Sequence, residues 1–272
     1  MTTQDRRVLD DYLKGSDRDA QIGALIRLAS DPHAVLTDAE LDAVLECLGS
    51  DCKAVQRRAS DALVARASHD VRVKGAVRKL LTSASPHARW GGAYALGTIG
   101  GDAFDLSALA ALLEALDAGD GDLRWAAAQR IVELGGKYRE EVCDALIALE
   151  GRGAVAARKM ALYCLRDLGA AHENVRALAE RAATASEVHL RLAALSLLGS
   201  LGDGGARSAE TIVQRLEEDS DAGVRRSAAA TLGRLAIRSP RVLSALRLAA
   251  GNVDDESLRR SALAALKRLG EQ

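Results

Sequence analysis

The sequence predicts an all-α protein, a right-handed α-solenoid of about eight helix pairs, and three observations carry that prediction. One twelve-residue pattern recurs eight times, each copy opening on an arginine: Arg18, Arg57, Arg89, Arg124, Arg158, Arg191, Arg225 and Arg259. Their spacings are 39, 32, 35, 34, 33, 34 and 34 residues, and a period near 34 is the mark of stacked supersecondary units. Each copy carries one apolar stripe with helical period. No segment alternates with period two, and no Asn-Gly hairpin turn occurs.

The stripe justifies the second helix of each pair. Three residues after the arginine the side chain is small in every copy except Gln21: Ser60, Gly92, Ala127, Ala161, Ala194, Ala228 and Ala262. Seven residues after it stand Leu25, Val64, Leu96, Ile131, Leu165, Leu198, Leu232 and Leu266. Ten residues after it stand Leu28, Ala67, Ile99, Leu134, Leu168, Leu201, Leu235 and Leu269. At about 100° per residue these offsets fall in one sector and define one buried face. Gly100, Gly135, Gly169, Gly202 and Gly270 close the helices, because the residue after a helix end favours a left-handed conformation. Asp120, Glu187, Asp221 and Asp255 stand four residues before an arginine, placed to cap the first turn.

A first helix precedes each of these. Residues 37–48 open on a capping box, Thr37 with Glu40, and continue with apolar spacing of three and four. Comparable stretches are Val71–Leu81, Leu106–Leu116, Val142–Leu149, Val175–Ala183, Ala209–Leu216 and Val242–Ala249.

Arginine, small residues, leucine and then Leu-Gly, after a helix and a short acidic turn, resembles the HEAT-repeat family. It is most similar to the short HEAT-like repeats of phycobilisome lyases. The resemblance covers essentially all of residues 1–272 and implies a single solenoid. Its repeats are approximately 1–32, 33–68, 69–100, 101–136, 137–169, 170–202, 203–236 and 237–272. The first two copies lack the closing glycine, and Gln21 and Asp61 interrupt them, as terminal repeats that cap an open core often do.

Composition agrees. Hydrophobic residues make up 48% of the chain but aromatics only 3%, which suits a core of many small leucine and alanine interfaces. The formal net charge of −1 gives no global pull toward nucleic acid or an anionic membrane. No run of eighteen apolar residues occurs, and the opening Met-Thr-Thr-Gln-Asp-Arg-Arg has no apolar leader core, so a cytoplasmic protein is expected. Cys47, Cys52, Cys143 and Cys164 read as small helix residues, not as a disulfide framework or a zinc site. His33, His69, His87, His172 and His189 read as turn residues without metal-ligand spacing. No nucleophile elbow or phosphate loop is present. Gly100-Gly101 and Gly202-Asp203-Gly204-Gly205 recur with the period as turn glycines. No catalytic residue, metal or cofactor is expected.

Two features stand out from the repeat. Offsets 1, 5 and 8 point away from the stripe, and both tryptophans and two of four tyrosines fall at offsets 1 and 5 of three consecutive central repeats. One reading is a recognition patch of Trp90, Tyr94, Trp125 and Tyr163 with polar contacts from Gln129, Lys159 and Arg166. The other is that these rings fill space left by Gly91, Gly92 and Gly97. Charge is also polarised: residues 1–52 carry eleven acids and five bases, residues 221–272 ten bases and five acids. Arg225, Arg226, Arg259, Arg260, Lys267 and Arg268 form a ladder that either binds an acidic partner or simply solvates a helical face.

The expected function is a non-catalytic protein-interaction scaffold or adaptor that grips a protein or peptide on its concave surface. Alternatives are a lyase- or chaperone-like subunit handling a bilin or other small flat ligand, as the resemblance implies, and a nucleic-acid-binding HEAT-like protein. Neutral total charge and the acidic first quarter weigh against nucleic acid, and no membrane partner is expected.

Overall fold

The computed structural model describes residues 3–202 and 206–271, so the Asp203-Gly204-Gly205 turn lies outside the described residues. Among these residues there are sixteen α-helices and no strand. No helix is long and apolar enough to cross a membrane. The chain forms two compact units, the first ending at Leu134 and the second beginning at Gly135.

The first unit pairs α1 (Thr3–Lys14) with α2 (Arg18–Ser30), and α3 (Asp38–Leu48) with α4 (Lys53–Arg66). Then α5 (Val71–Lys79) pairs with α6 (Pro86–Ile99), and α7 (Leu109–Ala115) precedes α8 (Gly121–Lys137). Every second helix begins within four residues of its anchor arginine, as the repeat predicts. The capping box at Thr37 is formed: its Oγ1 accepts the Glu40 amide at 3.2 Å and the Glu40 carboxylate accepts the Thr37 amide at 2.7 Å. Successive second helices pack in line, α2 on α4 and α4 on α6, through Leu25, Leu63 and Leu96, all fully buried. At Val64 the stripe is corrected, since that residue is half-buried and Leu63 beside it takes the core position. Ile99, at the end of α6, is half-buried as well.

The stretch expected as one helix at 106–116 is a 3₁₀ turn, Leu106–Ala108, followed by α7. Asp105 caps the turn by accepting the Ser107 amide at 2.9 Å. Ahead of it, Gly100 and Gly101 both adopt positive φ, 69° and 56°, a pair of left-handed residues that only glycine tolerates readily.

The second unit holds the last turn of α8, then α9 (Arg139–Arg152) with α10 (Val155–Asp167) and α11 (Glu173–Ala182) with α12 (Val188–Ser200). It ends with α13 (Ala206–Glu218) and α14 (Ala222–Leu235), and α15 (Pro240–Ala250) with α16 (Glu256–Arg268). Helix α10 packs on α12, α12 on α14 and α14 on α16, through buried Leu165, Leu198, Leu232 and Leu266. Asp221 and Asp255 accept the Val224 and Leu258 amides at 3.0 and 2.9 Å, the caps their positions predict. Glu187 sits at the N-cap without a side-chain cap bond; its longer carboxylate takes the Ser186 hydroxyl at 2.8 Å instead.

Gly169, Gly202 and Gly270 close their helices at positive φ, as Gly100 does in the first unit. Gly135 does not. It is helical and buried, and a Cβ there would lie 2.5 Å from Leu168 Cδ2 and 3.3 Å from Val142 Cγ1. Glycine at 135 therefore serves close packing, and α8 runs on to Lys137. Where the seventh repeat lacks its glycine, Ala236 takes the left-handed position at φ 54°.

The repeated arginine explains itself in the structure. Arg89 donates to the Ser83 and Ala84 carbonyls and to Glu114, and Arg158 donates to the Glu150 carbonyl at 2.8 Å. Arg191 donates to the Ala185 and Ser186 carbonyls and forks onto Asp219 at 2.7 and 2.8 Å, wholly inside the unit. The guanidinium satisfies carbonyls left open at the end of the preceding helix and, in Arg89 and Arg191, reaches an acid of the next repeat. Cys47 and Cys164 are buried among apolar side chains, which pushes their thiols up to about 11 and about 12.

Candidate interaction surface

Helical spacing builds a pocket in the first unit. Lys53, Gln56 and Arg57 lie at i, i+3 and i+4 on α4, Trp90 and Tyr94 at i and i+4 on α6, and Asp122 and Ala126 at i and i+4 on α8. With Leu123 they surround about 490 Å³ of space open to solvent. The indole of Trp90 and the ring of Tyr94 form its aromatic wall, centroids 5.5 Å apart and tilted by 44°.

Trp90 corrects the expectation of an outward-facing offset, because it is only 8% exposed. Glycines on α6 are the cause. A Cβ at Gly91 would lie 2.2 Å from the Leu48 carbonyl, and one at Gly92 would lie 3.0 Å from Leu80 Cβ. Their absence lets α6 close on the ends of α3 and α5, which draws the indole inward. Gln56 holds the same junction from α4, its amide donating to the Leu48 and His87 carbonyls at 2.9 and 3.2 Å. The space beside these glycines is taken by Leu48 and Leu80, not by the rings, and Trp90 lines the pocket.

Tyr94 is half-buried, and the Arg130 guanidinium lies 5.1 Å from its ring centroid. Gly97 makes room for that arginine, since a Cβ there would be 2.8 Å from Arg130 Cδ. Arg130 also bonds Glu133 and Thr98. Trp125 is 53% exposed on α8, with exposed Gln129 one turn further on; neither lines the pocket. In the second unit, Lys159 and Tyr163 are half-buried one turn apart on α10. Arg166 stacks 4.9 Å from the Tyr163 centroid and bonds Asp167 and Ser196.

Charge at the pocket is arranged by Lys53, which the repeat reading did not single out. Its ammonium pairs with Asp120 and, at 3.4 Å, with Asp122, linking α4 to the start of α8. The bond to Asp120 raises the Lys53 pKa, and the same bond holds Asp120 below the usual carboxylate range. Arg57 was also missed as a site residue. It is exposed, and no hydrogen bond or ion pair engages it among the described residues. The signal was present: residues 80–86, the turn that would supply its acid, contain no carboxylate, whereas Arg18 meets Asp51 and Arg191 meets Asp219 in the corresponding turns.

The basic ladder of the second unit is partly committed to the fold. Arg225 donates to the Asp219 carbonyl at 2.7 Å, and both Arg225 and Arg226 lie 3.9 Å from Asp255. Arg259 and Arg260 pair with Glu256, while Lys267 and Arg268 are exposed on the last turns of α16.

Among solved structures, the chain is similar to one from the complex in which Kap95p binding induces the switch loops of RanGDP to adopt the GTP-bound conformation. The TM-score there is 0.64 at 14% identity, over 97% of this chain and 39% of that one. Kap121p gives 0.56 at 10% identity over 99% and 38%, and an engineered protein gives 0.52 at 19% identity over 96% and 77%. The chain thus spans about two fifths of the two Kap proteins' matched chains, and these likenesses show a shared fold. No curated protein sequence matches. The profile of HEAT repeats matches residues 41–131 and 175–267, more than half of the chain, and the chain belongs to the HEAT-repeat family.

Proposed function

We propose that the chain is a non-catalytic interaction scaffold or adaptor that binds a protein or peptide partner on the face of its arginine-anchored helices. The fold suits this, since stacked repeats commonly present extended surfaces to protein partners. The observation that carries the reading is the solvent-open pocket walled by Trp90 and Tyr94 in a chain with only seven aromatic residues. Aromatic side chains lining a solvent-open pocket in a leucine- and alanine-packed protein are the kind of anchor that dominates interfaces. Exposed Trp125 and Gln129 extend the contact along α8. Lys159, Tyr163 and Arg166 offer a further contact in the second unit, and Lys267 and Arg268, with Arg226 and Arg260, a place for an acidic segment of the partner.

The test is a random peptide-display library panned on the purified protein. A consensus should emerge whose binding, measured by calorimetry, is lost in Tyr94→Ala and Trp125→Ala while circular dichroism stays unchanged. Absence of enrichment, or peptides that bind both variants as well as the native protein, would overturn the reading.

A further inference from the structure

Of the eight anchor arginines, seven are engaged by backbone carbonyls or carboxylates of their own unit. Arg57 is the exception among the described residues, and it stands at the rim of the Trp90–Tyr94 pocket. Beside it, Lys53 is already engaged by Asp120 and Asp122. Arg57 is therefore the cation of the pocket lining whose donors meet no acceptor among the described residues. A partner that covers the pocket takes the guanidinium out of water, and the loss of hydration is made good only by an anion set against its donors. A carboxylate matches the planar fork with two parallel hydrogen bonds.

We infer that the pocket takes an acidic peptide segment of a partner protein, with an aliphatic or aromatic side chain against Trp90 and Tyr94 and a nearby Asp or Glu paired with Arg57. This inference rests on the interaction reading above. It adds the chemistry of the partner: an apolar and an acidic side chain close together, since both must meet the lining of one pocket.

The probes are fluorescein-labelled ten-residue peptides with a central Phe flanked by Glu, and their Gln and phosphoserine counterparts, measured by fluorescence polarisation. Trp90 and Trp125 are the two indoles of the chain, so the native protein's emission reports contact with the aromatic surface. The Glu peptide should quench or shift that emission and bind about tenfold more tightly than the Gln peptide. In Arg57→Gln the two should bind alike, with Arg57→Lys in between and circular dichroism unchanged throughout. Equal binding of Glu and Gln peptides to the native protein, a Glu preference that survives Arg57→Gln, or a preference for phosphoserine would overturn this inference and leave the scaffold reading standing. Should the library select no peptide, or peptides indifferent to Tyr94→Ala and Trp125→Ala, both fall together.

Discussion

The two units use the same residue differently. In the second, the anchors Arg158, Arg191, Arg225 and Arg259 follow at 33, 34 and 34 residues, and each is held by a carbonyl or a carboxylate. In the first, the intervals are 39, 32 and 35, the connections include 3₁₀ turns, and Arg57 is left without a partner among the described residues. Regular repeats tie their arginines into the fold. The irregular ones leave a guanidinium and a pocket with an aromatic wall facing solvent. A departure from repetition is thus where a solenoid of this kind has chemistry to offer another molecule.

The largest test of that contrast sets buried against exposed members of like pairs. Asp219→Ala should cost about 3–5 kcal/mol in urea unfolding, because it strands Arg191 and Arg215 inside the second unit. Arg57→Gln should stay within about 0.5 kcal/mol of native. Equal losses would erase the distinction between committed and uncommitted arginines.

The tryptophans make a second pair. Trp90→Ala removes a ring that is 8% exposed and should cost about 3–5 kcal/mol, whereas Trp125→Ala, at 53% exposure, should move stability by no more than about 0.5 kcal/mol. For calibration, Leu198→Ala at a seam of the second unit should cost about 2–5 kcal/mol. A Trp90 variant as stable as the Trp125 variant would show that α6 does not hold its indole as described.

pH sharpens the comparison further. Burial alone would push Asp219 up, but the Arg191 fork, the Asp221 amide and Arg215 outweigh it and hold the carboxyl below its usual range. A depressed carboxyl stabilises the fold above its unfolded value of about 3.9 and stops doing so as pH falls through its folded value. The stability gap between native and Asp219→Asn should therefore be wide at pH 7 and narrow steadily below about pH 4. A gap that is flat with pH would deny Asp219 its charge in the folded protein.

The smallest effect concerns the lapse in the regular unit. Ala236 is the one non-glycine with positive φ among the described residues. Ala236→Gly should raise stability by about 1 kcal/mol, because a left-handed alanine crowds its own carbonyl. A neutral or destabilising outcome would show that the methyl group has contacts worth more than the strain.

Read alone, the sequence determined the number, order and type of the helices. A stripe recurring at offsets 3, 7 and 10 has only one way to be buried, and a strand would scatter it over both faces. It also marked the capping acids Asp221 and Asp255 and the closing glycines Gly100, Gly169, Gly202 and Gly270, since caps act within a few residues. Tertiary structure decided what depends on distance between helices. It turned Gly135 from a closing residue into a packing one, because Leu168 arrives from thirty-three positions away. It buried Trp90, which its offset placed outside, because Gly91 and Gly92 let α6 approach α3 and α5 more closely than side chains permit. It also brought Lys53 and Arg57 from α4 and Asp122 from α8 around that ring. A period locates residues on their own helix; only the separation between helices says which of them meet.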